Sequence, residues 1–497
     1  MTQRRGSTGP GGRRSALRAF GVRPWLPLAA TASFCLAVEP DAPAAATTNA
    51  ISEDAVVPAA EAALAATPPV TQARTWDVSG RLRAVYDYRS MGDDTDEDLY
   101  GYWYLNAKKL ADGHLDLYAS GRHRSDLNGA GTSYADDVYT SSSDSNGDQD
   151  TRLLQLYADL HDRDGDVSLR AGRQYIDAAD YVQVDGAQLA LFEPRAFGGR
   201  VFFGNPVSFY SPVSGDRFGG VSLTAKPWEG GDARLTYARY EDDSEDAADD
   251  NLFASVRQRV ADALQMRAQA SLMNGDFRMG GLDLWYFGVD RVSDVLLGVR
   301  HWGSYSADSR VYSPLYEVLG KSQPYTYLYA RTTQEIAPWF LVSPGAAWQI
   351  MDPADEDAYN NSYGHYDVSF IFEPSRSIDA SLAVEYWDVE DGDRFVGFSG
   401  EVRYRRARTW EIAGGAAYMD YQYRQYSDFS YTSVGGDIIV TEDGTTSRSS
   451  PDVFTYFARC KWRFTPHWMV RLQGDVEDDS MESDLAYRGR VSLERVF

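Results

Sequence analysis

The sequence predicts an all-β fold, a transmembrane antiparallel up-and-down β-barrel of about 22 strands, within a range of roughly 18–22. Three features support this prediction: a secretion signal at the start, a strand that ends the chain on Phe497, and an alternation of apolar and polar residues along most of the chain. Such alternation is typical of a strand with one apolar and one polar face. The alternating segments are about ten residues long, which suits a membrane-spanning strand better than the shorter strands of a soluble sandwich.

The N-terminal region has the order of a signal peptide. Residues 1–44 contain a basic stretch, an apolar stretch at 25–38 and an Ala-Pro-Ala cleavage site at 42–44. Residues 45–73 are rich in Ala, Thr and Pro, so we expect a flexible linker there. The barrel is then expected to occupy residues 74–497.

Composition narrows the class of protein further. The formal net charge of −25 makes nucleic acid an unexpected partner. The chain has 33 Tyr and 12 Trp but a mean hydropathy of −0.44, a combination that suits a barrel, because only alternate residues meet lipid and aromatic residues gather at the interfaces. We therefore expect the outer membrane of a Gram-negative bacterium. The expected partners are outer-membrane lipid, lipopolysaccharide and the barrel assembly machinery.

The strand pattern begins at the start of the expected barrel. In the first strand Val78, Leu82 and Tyr86 alternate with Arg81 and Arg83. The same period-2 pattern returns at 99–108, 378–386 and 454–464, while the strands around 197–210 are weaker. Each of these segments predicts a strand with an apolar outer face and a polar inner face.

The connections between these strands alternate in length. Short turns are expected at 110–113, 162–165, 227–231, 261–263, 290–294, 374–376, 406–408 and 465–467. Longer, mostly acidic loops are expected at 92–98, 125–150, 241–250, 304–323, 351–363, 423–451 and 478–484. The connection at 274–277 is short, although the alternation predicts a long loop at this position. Short periplasmic turns and long extracellular loops are typical of outer-membrane barrels.

The last strand has two distinct faces. Its apolar face is the predicted assembly signal, formed by Tyr487, Gly489, Val491, Leu493 and Phe497. Arg488 and Arg490 alternate with these residues and should face inward. Because the last strand pairs with the first in a closed barrel, we expect these two arginines to meet Arg81 and Arg83 across the seam.

Basic residues on the expected inward faces are the candidate pore-lining residues. This predicted basic wall consists of Arg81, Arg83, Arg170, Arg403, Arg405, Arg459, Lys461, Arg463, Arg471, Arg488 and Arg490. Facing lipid, each would cost about 2–4 kcal/mol near the midplane, so water is the expected surrounding. A basic wall lowers the electrostatic barrier for anions. The alternative is that these residues pair with lumen carboxylates and only stiffen the wall.

No catalytic, metal or cofactor site is expected. The six histidines show no H-x-x-x-H or H-E-x-x-H spacing, and no G-x-S-x-G motif is present. Cys460 is alone after the signal peptide, which excludes a disulfide framework, haem attachment and a cysteine zinc site. We therefore expect a protein that is not an enzyme.

Residues 153–191 carry a resemblance to a known family. The matching residues are Leu169, Arg170, Gly172, Arg173, Gln174, Asp185, Gly186, Ala187 and Leu189. This stretch resembles the alginate-export and related porin-like outer-membrane barrels. The resemblance implies a porin-like barrel and, in its alginate-export form, passage of a polyanionic polysaccharide along an arginine-lined pore.

These observations favour an outer-membrane channel. The expected cargo is a small solute or ion, with an anionic saccharide or polymer as the sharper version. Two alternatives stay open: a structural or adhesive barrel with a plugged lumen, and the barrel subunit of a larger complex.

Overall fold

A computed structural model describes residues 76–497, with several gaps. The residues outside it are 1–75, 93, 129–148, 163, 179, 194, 208–214, 289–292, 306, 308–322, 353–361, 407–408, 435–436 and 482–483, and for 423–449 only the backbone is described. The expected signal peptide and linker lie outside the described residues and stay predictions. Among the described residues, no helix has the length and apolarity that crossing a membrane requires.

The described residues form 23 strands and two short 3₁₀ turns, at Ala111–Gly113 and Glu390–Gly392. The first twelve strands are β1 (Asp77–Met91), β2 (Asp94–Leu110), β3 (Leu115–Asp126), β4 (Gln149–His161), β5 (Val167–Asp177), β6 (Tyr181–Leu191), β7 (Phe197–Pro206), β8 (Arg217–Ala225), β9 (Gly231–Asp242), β10 (Ala247–Ala261), β11 (Leu264–Met273) and β12 (Asp276–Phe287). The others are β13 (Ser293–Trp302), β14 (Tyr325–Ala337), β15 (Phe340–Met351), β16 (Tyr363–Ser375), β17 (Ile378–Val389), β18 (Arg394–Arg406), β19 (Trp410–Val434), β20 (Asp437–Ser449), β21 (Asp452–Thr465), β22 (Trp468–Asp479) and β23 (Ala486–Val496).

The strands form a closed antiparallel barrel whose wall has 22 strands. Each wall strand pairs with its neighbours along the chain, and β1 pairs with β23 to close the wall. β20 is not a wall strand, because it pairs only with the distal part of β19, and β19 pairs directly with β21 nearer its start. The predicted fold class and strand number are confirmed. Closure gives every wall strand a paired neighbour on both sides, as a membrane-spanning sheet requires.

Several predicted loops are instead strand. Within 92–98, β2 already begins at Asp94, and within 241–250, β9 ends at Asp242 and β10 begins at Ala247. The predicted loop at 423–451 contains the end of β19 and the whole of β20. These residues are too polar for a lipid-facing strand, but hairpins that continue beyond the apolar belt still gain backbone hydrogen bonds. Loop composition therefore overestimated the lengths of these three loops. The loops predicted at 125–150, 304–323 and 351–363 lie mostly outside the described residues.

The outer surface is an apolar belt with aromatic residues at both rims. Near the short-turn rim the exposed rings include Trp339, Trp410, Phe464 and Phe497. Toward the loop rim they include Tyr386, Tyr456 and Tyr487. Two aromatic bands around an apolar belt are typical of a transmembrane barrel.

A compact apolar cluster lies on the lumen side of β5–β9. Its buried members are Ile176, Ala178, Val184, Phe202, Phe218, Ala238 and Tyr240. An apolar core inside a polar lumen means that one part of the sheet has folded onto another.

Candidate functional site

Alternation along β1 shows which face of the wall lines the lumen. Leu82 is 44% exposed on the outer face, whereas Val85 and Asp87, at odd positions like Arg83, are only 4% and 2% exposed. Inner residues are shielded by the surrounding wall, so low exposure at polar positions identifies the lumen face. Register transfers this assignment from strand to strand, because paired residues share a face.

The first two members of the basic wall pack on tyrosine rings. The guanidinium carbon of Arg81 lies 4.5 Å from the ring centroid of Tyr104, and that of Arg83 lies 5.9 Å from the ring centroid of Tyr102. These residues are also register partners across β1 and β2. The rings hold the two arginines against the wall without neutralising their charge.

Three members on β18 and β21 share two carboxylates. Arg403 Nη2 lies 2.6 Å from Glu401 Oε1, and Arg405 is ion-paired with Asp379. Arg459 Nη1 lies 3.6 Å from the other carboxylate oxygen of Glu401. These guanidinia are therefore partly neutralised, which is the alternative that the sequence left open.

The remaining members differ in their pairing. Arg170 is held by Asp159 on β4 through a 2.7 Å contact, and Arg471 lies 3.8 Å from Glu494 on β23. In the part of the chain that the structure describes, neither Lys461 nor Arg463 has an ion-pair partner. Their register partners on β22 are Arg471 and Met469, and Glu411 lies opposite Lys461 on β19 without an ion pair between them. The unneutralised charge of the basic wall is thus concentrated near the short-turn rim.

At the seam the structure corrects the sequence prediction. Arg488 and Arg490 do not meet Arg81 and Arg83, since Arg490 is the register partner of Asp87 and Glu494 that of Arg83. The Asp87 carboxylate accepts a 2.9 Å hydrogen bond from Arg490 Nε and lies 3.5 Å from Arg488 Nη2. The prediction was wrong because the strand register, about six residues away from the assumed one, cannot be read from alternation alone.

The predicted assembly signal lies on the outer face of β23. Tyr487, Val491, Leu493 and Phe497 are all more than 40% exposed. Phe497 ends the ladder, exchanging backbone hydrogen bonds of 3.0 and 2.9 Å with Gly80. A Cβ at Gly80 would collide with the Phe497 ring, so glycine leaves room for that ring. Arg495 lies 5.4 Å from the ring centroid of Trp468, which places its charge among interface aromatics. An assembly role for this face stays a prediction.

The wall is interrupted between β4 and β5. β5 pairs with β4 only from Ser168 to Arg173, although it pairs with β6 up to Asp177. The departure begins at Gly172, whose φ is +125° and whose missing Cβ avoids a collision with the Leu156 carbonyl oxygen. Above this point the β5–β6 hairpin leaves the line of the wall.

The end of this hairpin lies against the inner faces of β9, β10 and β12. Arg234 Nη1 donates a 2.7 Å hydrogen bond to Asp177 Oδ2. Arg278 donates two, of 2.8 and 2.9 Å, to the two carboxylate oxygens of Asp180, which also accepts one from Asn251. We call the β5–β6 hairpin the constriction hairpin, because these ion pairs hold its end inside the lumen.

The residues that carry the family resemblance lie at the corner where this hairpin leaves the wall. Arg173 makes a bidentate pair with Asp185 at 2.8 and 2.7 Å, and its Nη1 donates to the Leu153 carbonyl on the unpaired edge of β4. Gln174 is fully buried and donates to the Gly186 carbonyl. The motif thus shapes the hairpin. The motif can be recognised in the sequence, but nothing in the sequence indicates that the hairpin folds into the lumen.

Sequence reading also missed a second lumen surface. Each strand from β13 to β19 except β15 contributes one inward-facing aromatic residue to this surface. On β15 the residue opposite Tyr363 is Gln349. We call this set the aromatic track; it consists of Trp302, Tyr325, Tyr363, Trp387, Phe395 and Tyr421. Ring centroids lie 4.5 Å apart for Trp302 and Tyr325, 4.9 Å for Tyr363 and Trp387, and 4.8 Å for Phe395 and Tyr421. The sequence does contain a signal for this surface. Tyr386 and Trp387 are consecutive, and because neighbours on a strand face opposite sides, one of these two rings must face the lumen.

No metal site is apparent in the described ranges, where no group of three His, Cys, Asp or Glu side chains could hold an ion. Of the histidines, His365 stacks on Trp387 at 4.1 Å and lies 3.5 Å from Glu385, so it belongs to the surroundings of the aromatic track.

Comparison with known proteins gives similarity to solved structures of porins. No family model matches the chain, and no curated protein matches it. The OpdK structure from Pseudomonas aeruginosa, solved with vanillate, is 12% identical, with a TM-score of 0.40 over 85% of this chain and 98% of that one. A BenF-like porin from Pseudomonas fluorescens is 8% identical, with a TM-score of 0.44 over the same shares. OccK2 from Pseudomonas aeruginosa is 11% identical, with a TM-score of 0.40 over 85% of this chain and 97% of that one. At these identities the likeness is one of fold alone, and the alginate-export part of the resemblance stays a prediction.

Proposed function

We propose that this protein is an outer-membrane channel for small solutes or ions. The observation that carries the proposal is the closed 22-strand wall, apolar outside and lined inside by charged side chains that would be costly in lipid. Such a barrel belongs in the outer membrane of a Gram-negative bacterium, in contact with its lipid and lipopolysaccharide and inserted by the barrel assembly machinery.

The basic wall supports a preference for anions near the short-turn rim. Lys461 and Arg463 form no ion pair in the described part of the chain, and Arg81 and Arg83 are held by rings. Passage of a polyanionic polymer is the narrower version of this proposal. It has less support, because Glu401 and Asp379 interrupt the basic wall and the constriction hairpin occupies part of the lumen.

The constriction hairpin is also the observation that favours a second candidate, a structural barrel with a plugged lumen. Its ion pairs, Arg234–Asp177 and Arg278–Asp180, fix it inside the barrel. Whether solute passes beside it separates the two candidates.

Swelling of proteoliposomes in isosmotic solutions of sugars and amino acids of increasing size tests the proposal. A channel predicts swelling rates that fall with solute size and, at equal size, are higher for anions. Swelling no faster than in empty liposomes, from protein shown to be folded by its heat-modifiable migration, would favour the plugged barrel.

A further inference from the structure

The aromatic track places partly accessible aromatic rings along the lumen wall. Trp302 and Tyr325 are register partners, as are Trp387 and Phe395, so the track passes from strand to strand at nearly one height. All its members except Phe395, which is 8% exposed, keep part of their surface accessible. The accessible parts of these rings give a solute in the lumen an apolar, polarisable surface to contact.

The central ring of the track is held in one orientation. Trp387 Nε1 donates a 3.4 Å hydrogen bond to Glu385 Oε2, and His365 stacks on its indole. Gly397 lies opposite Glu385 in the register, and a Cβ there would collide with the Glu385 side chain. Fixed rings bind a flat ligand at low entropic cost, because little freedom is left to lose.

The polar groups beside the track differ between its two ends, and those at β13–β16 are nearly balanced in charge. Arg331 Nη2 lies 2.7 Å from Asp367 Oδ1, and Arg300 Nη2 lies 3.8 Å from Asp283 Oδ1. A surface for organic cations needs ring faces with uncompensated carboxylates. Each of these two carboxylates has its own guanidinium, so the β13–β16 end offers hydrogen-bond donors and acceptors with little net charge. At the other end Tyr421 has the carboxylates of Glu385, Glu477 and Asp479 around it, which can accept hydrogen bonds from ligand hydroxyls.

We propose that the aromatic track binds neutral saccharides, whose pyranose rings stack on the aromatic faces while their hydroxyls bond to the neighbouring carboxylates, guanidinia and His365. The track extends over several strands instead of surrounding one point, which fits a linear oligosaccharide better than a single small ligand. The proposal rests on the channel function, since the ligand reaches the track from within the lumen.

Block of single-channel current by maltohexaose, a neutral linear saccharide, tests this proposal in planar bilayers. The wild-type channel should show transient closures whose frequency rises with maltohexaose concentration. Trp387→Ala and Tyr363→Ala should each raise the half-blocking concentration about tenfold, the size expected for loss of one good aromatic contact. Trp387→Phe should restore most of the block. Tyr386→Ala, which removes the adjacent outward ring, is the matched control and should leave the block unchanged.

The outcomes separate this proposal from the channel function. Absence of any conductance step would overturn the channel itself. Normal conductance without maltohexaose block, or equal block of wild type and Trp387→Ala, would overturn saccharide binding while leaving the channel intact. Block by tetraethylammonium but not by maltohexaose would also overturn it, in favour of a cation surface.

Discussion

Two surfaces of the same lumen, the basic wall and the aromatic track, act over different distances. Charges on the basic wall influence a solute across the lumen, whereas rings on the aromatic track influence only what touches them. The basic wall is also interrupted by carboxylates such as Glu401 and Asp379, while the track is a sequence of near neighbours. We therefore expect the basic wall to select solutes by charge and the aromatic track to select them by shape.

The largest expected effect comes from reversing the unpaired charges of the basic wall. Changing Arg83, Lys461 and Arg463 to Glu should lower the anion-to-cation permeability ratio by at least about tenfold, since a single unit charge about 10 Å away already contributes roughly 1–2 kcal/mol at an effective dielectric constant of ~20. Reversal potentials in a salt gradient measure the ratio. Arg394→Glu, an exposed outward position on β18, is the control. An unchanged ratio in the triple variant would mean that the basic wall does not select.

The next effect concerns the paired part of the basic wall, at the seam. Asp87→Asn removes the buried carboxylate that Arg488 and Arg490 share, and should destabilise the barrel by about 3 kcal/mol because the hydrogen bonds from two partly exposed guanidinia to one carboxylate are lost. The measurement is the urea midpoint for unfolding in detergent micelles. Adding Arg490→Gln should recover part of the loss. Equal stability of Asp87→Asn and wild type would show that the seam pair is inessential.

A smaller effect is expected from releasing the constriction hairpin. Asp180→Ala removes the bidentate pair with Arg278, whose net contribution should be about 1.5–3 kcal/mol. The freed hairpin should increase unitary conductance and its fluctuations without changing maltohexaose block per open channel. Asp166→Ala, which removes an exposed ion pair with Arg195 at a short turn, should change neither quantity. A conductance unchanged by Asp180→Ala would place the constriction elsewhere.

The smallest effect lies outside both lumen surfaces. Arg495→Leu removes the guanidinium that lies over Trp468 and Phe497, and should cost about 0.5–1 kcal/mol of stability with no change of selectivity. A selectivity change in this variant would mean that charge outside the lumen reaches the permeation path. That result would weaken the distinction between the two lumen surfaces.

The sequence predicts which way side chains face but not which residues of neighbouring strands are paired. Alternation identified the inward face of Arg81 and Arg83 and the outward face of Leu82, because side chains on a strand alternate with period 2. It did not supply register, so the partner of Arg490 was misassigned to the arginines of β1 instead of Asp87. Pairing between strands depends on shear around the whole barrel, which no local segment encodes.

The aromatic track was missed for a related reason. The abundance of Tyr and Trp was assigned wholly to the membrane interfaces, where residues such as Tyr386 and Trp410 do lie. Composition counts Trp387 and Tyr363 together with these outward residues, although both face the lumen. Their proximity depends on the register between β16 and β17. The inward fold of the β5–β6 hairpin depends on Gly172, whose φ is positive. The sequence does not show whether a glycine in a strand adopts a positive φ or ordinary extended backbone.

Single-channel recording in planar lipid bilayers, with folded protein in symmetric potassium chloride, tests the central claim most directly. A channel predicts discrete, reproducible current steps, and a chloride-over-potassium preference when a salt gradient is applied. Folded, inserted protein that gives no current steps would contradict the account.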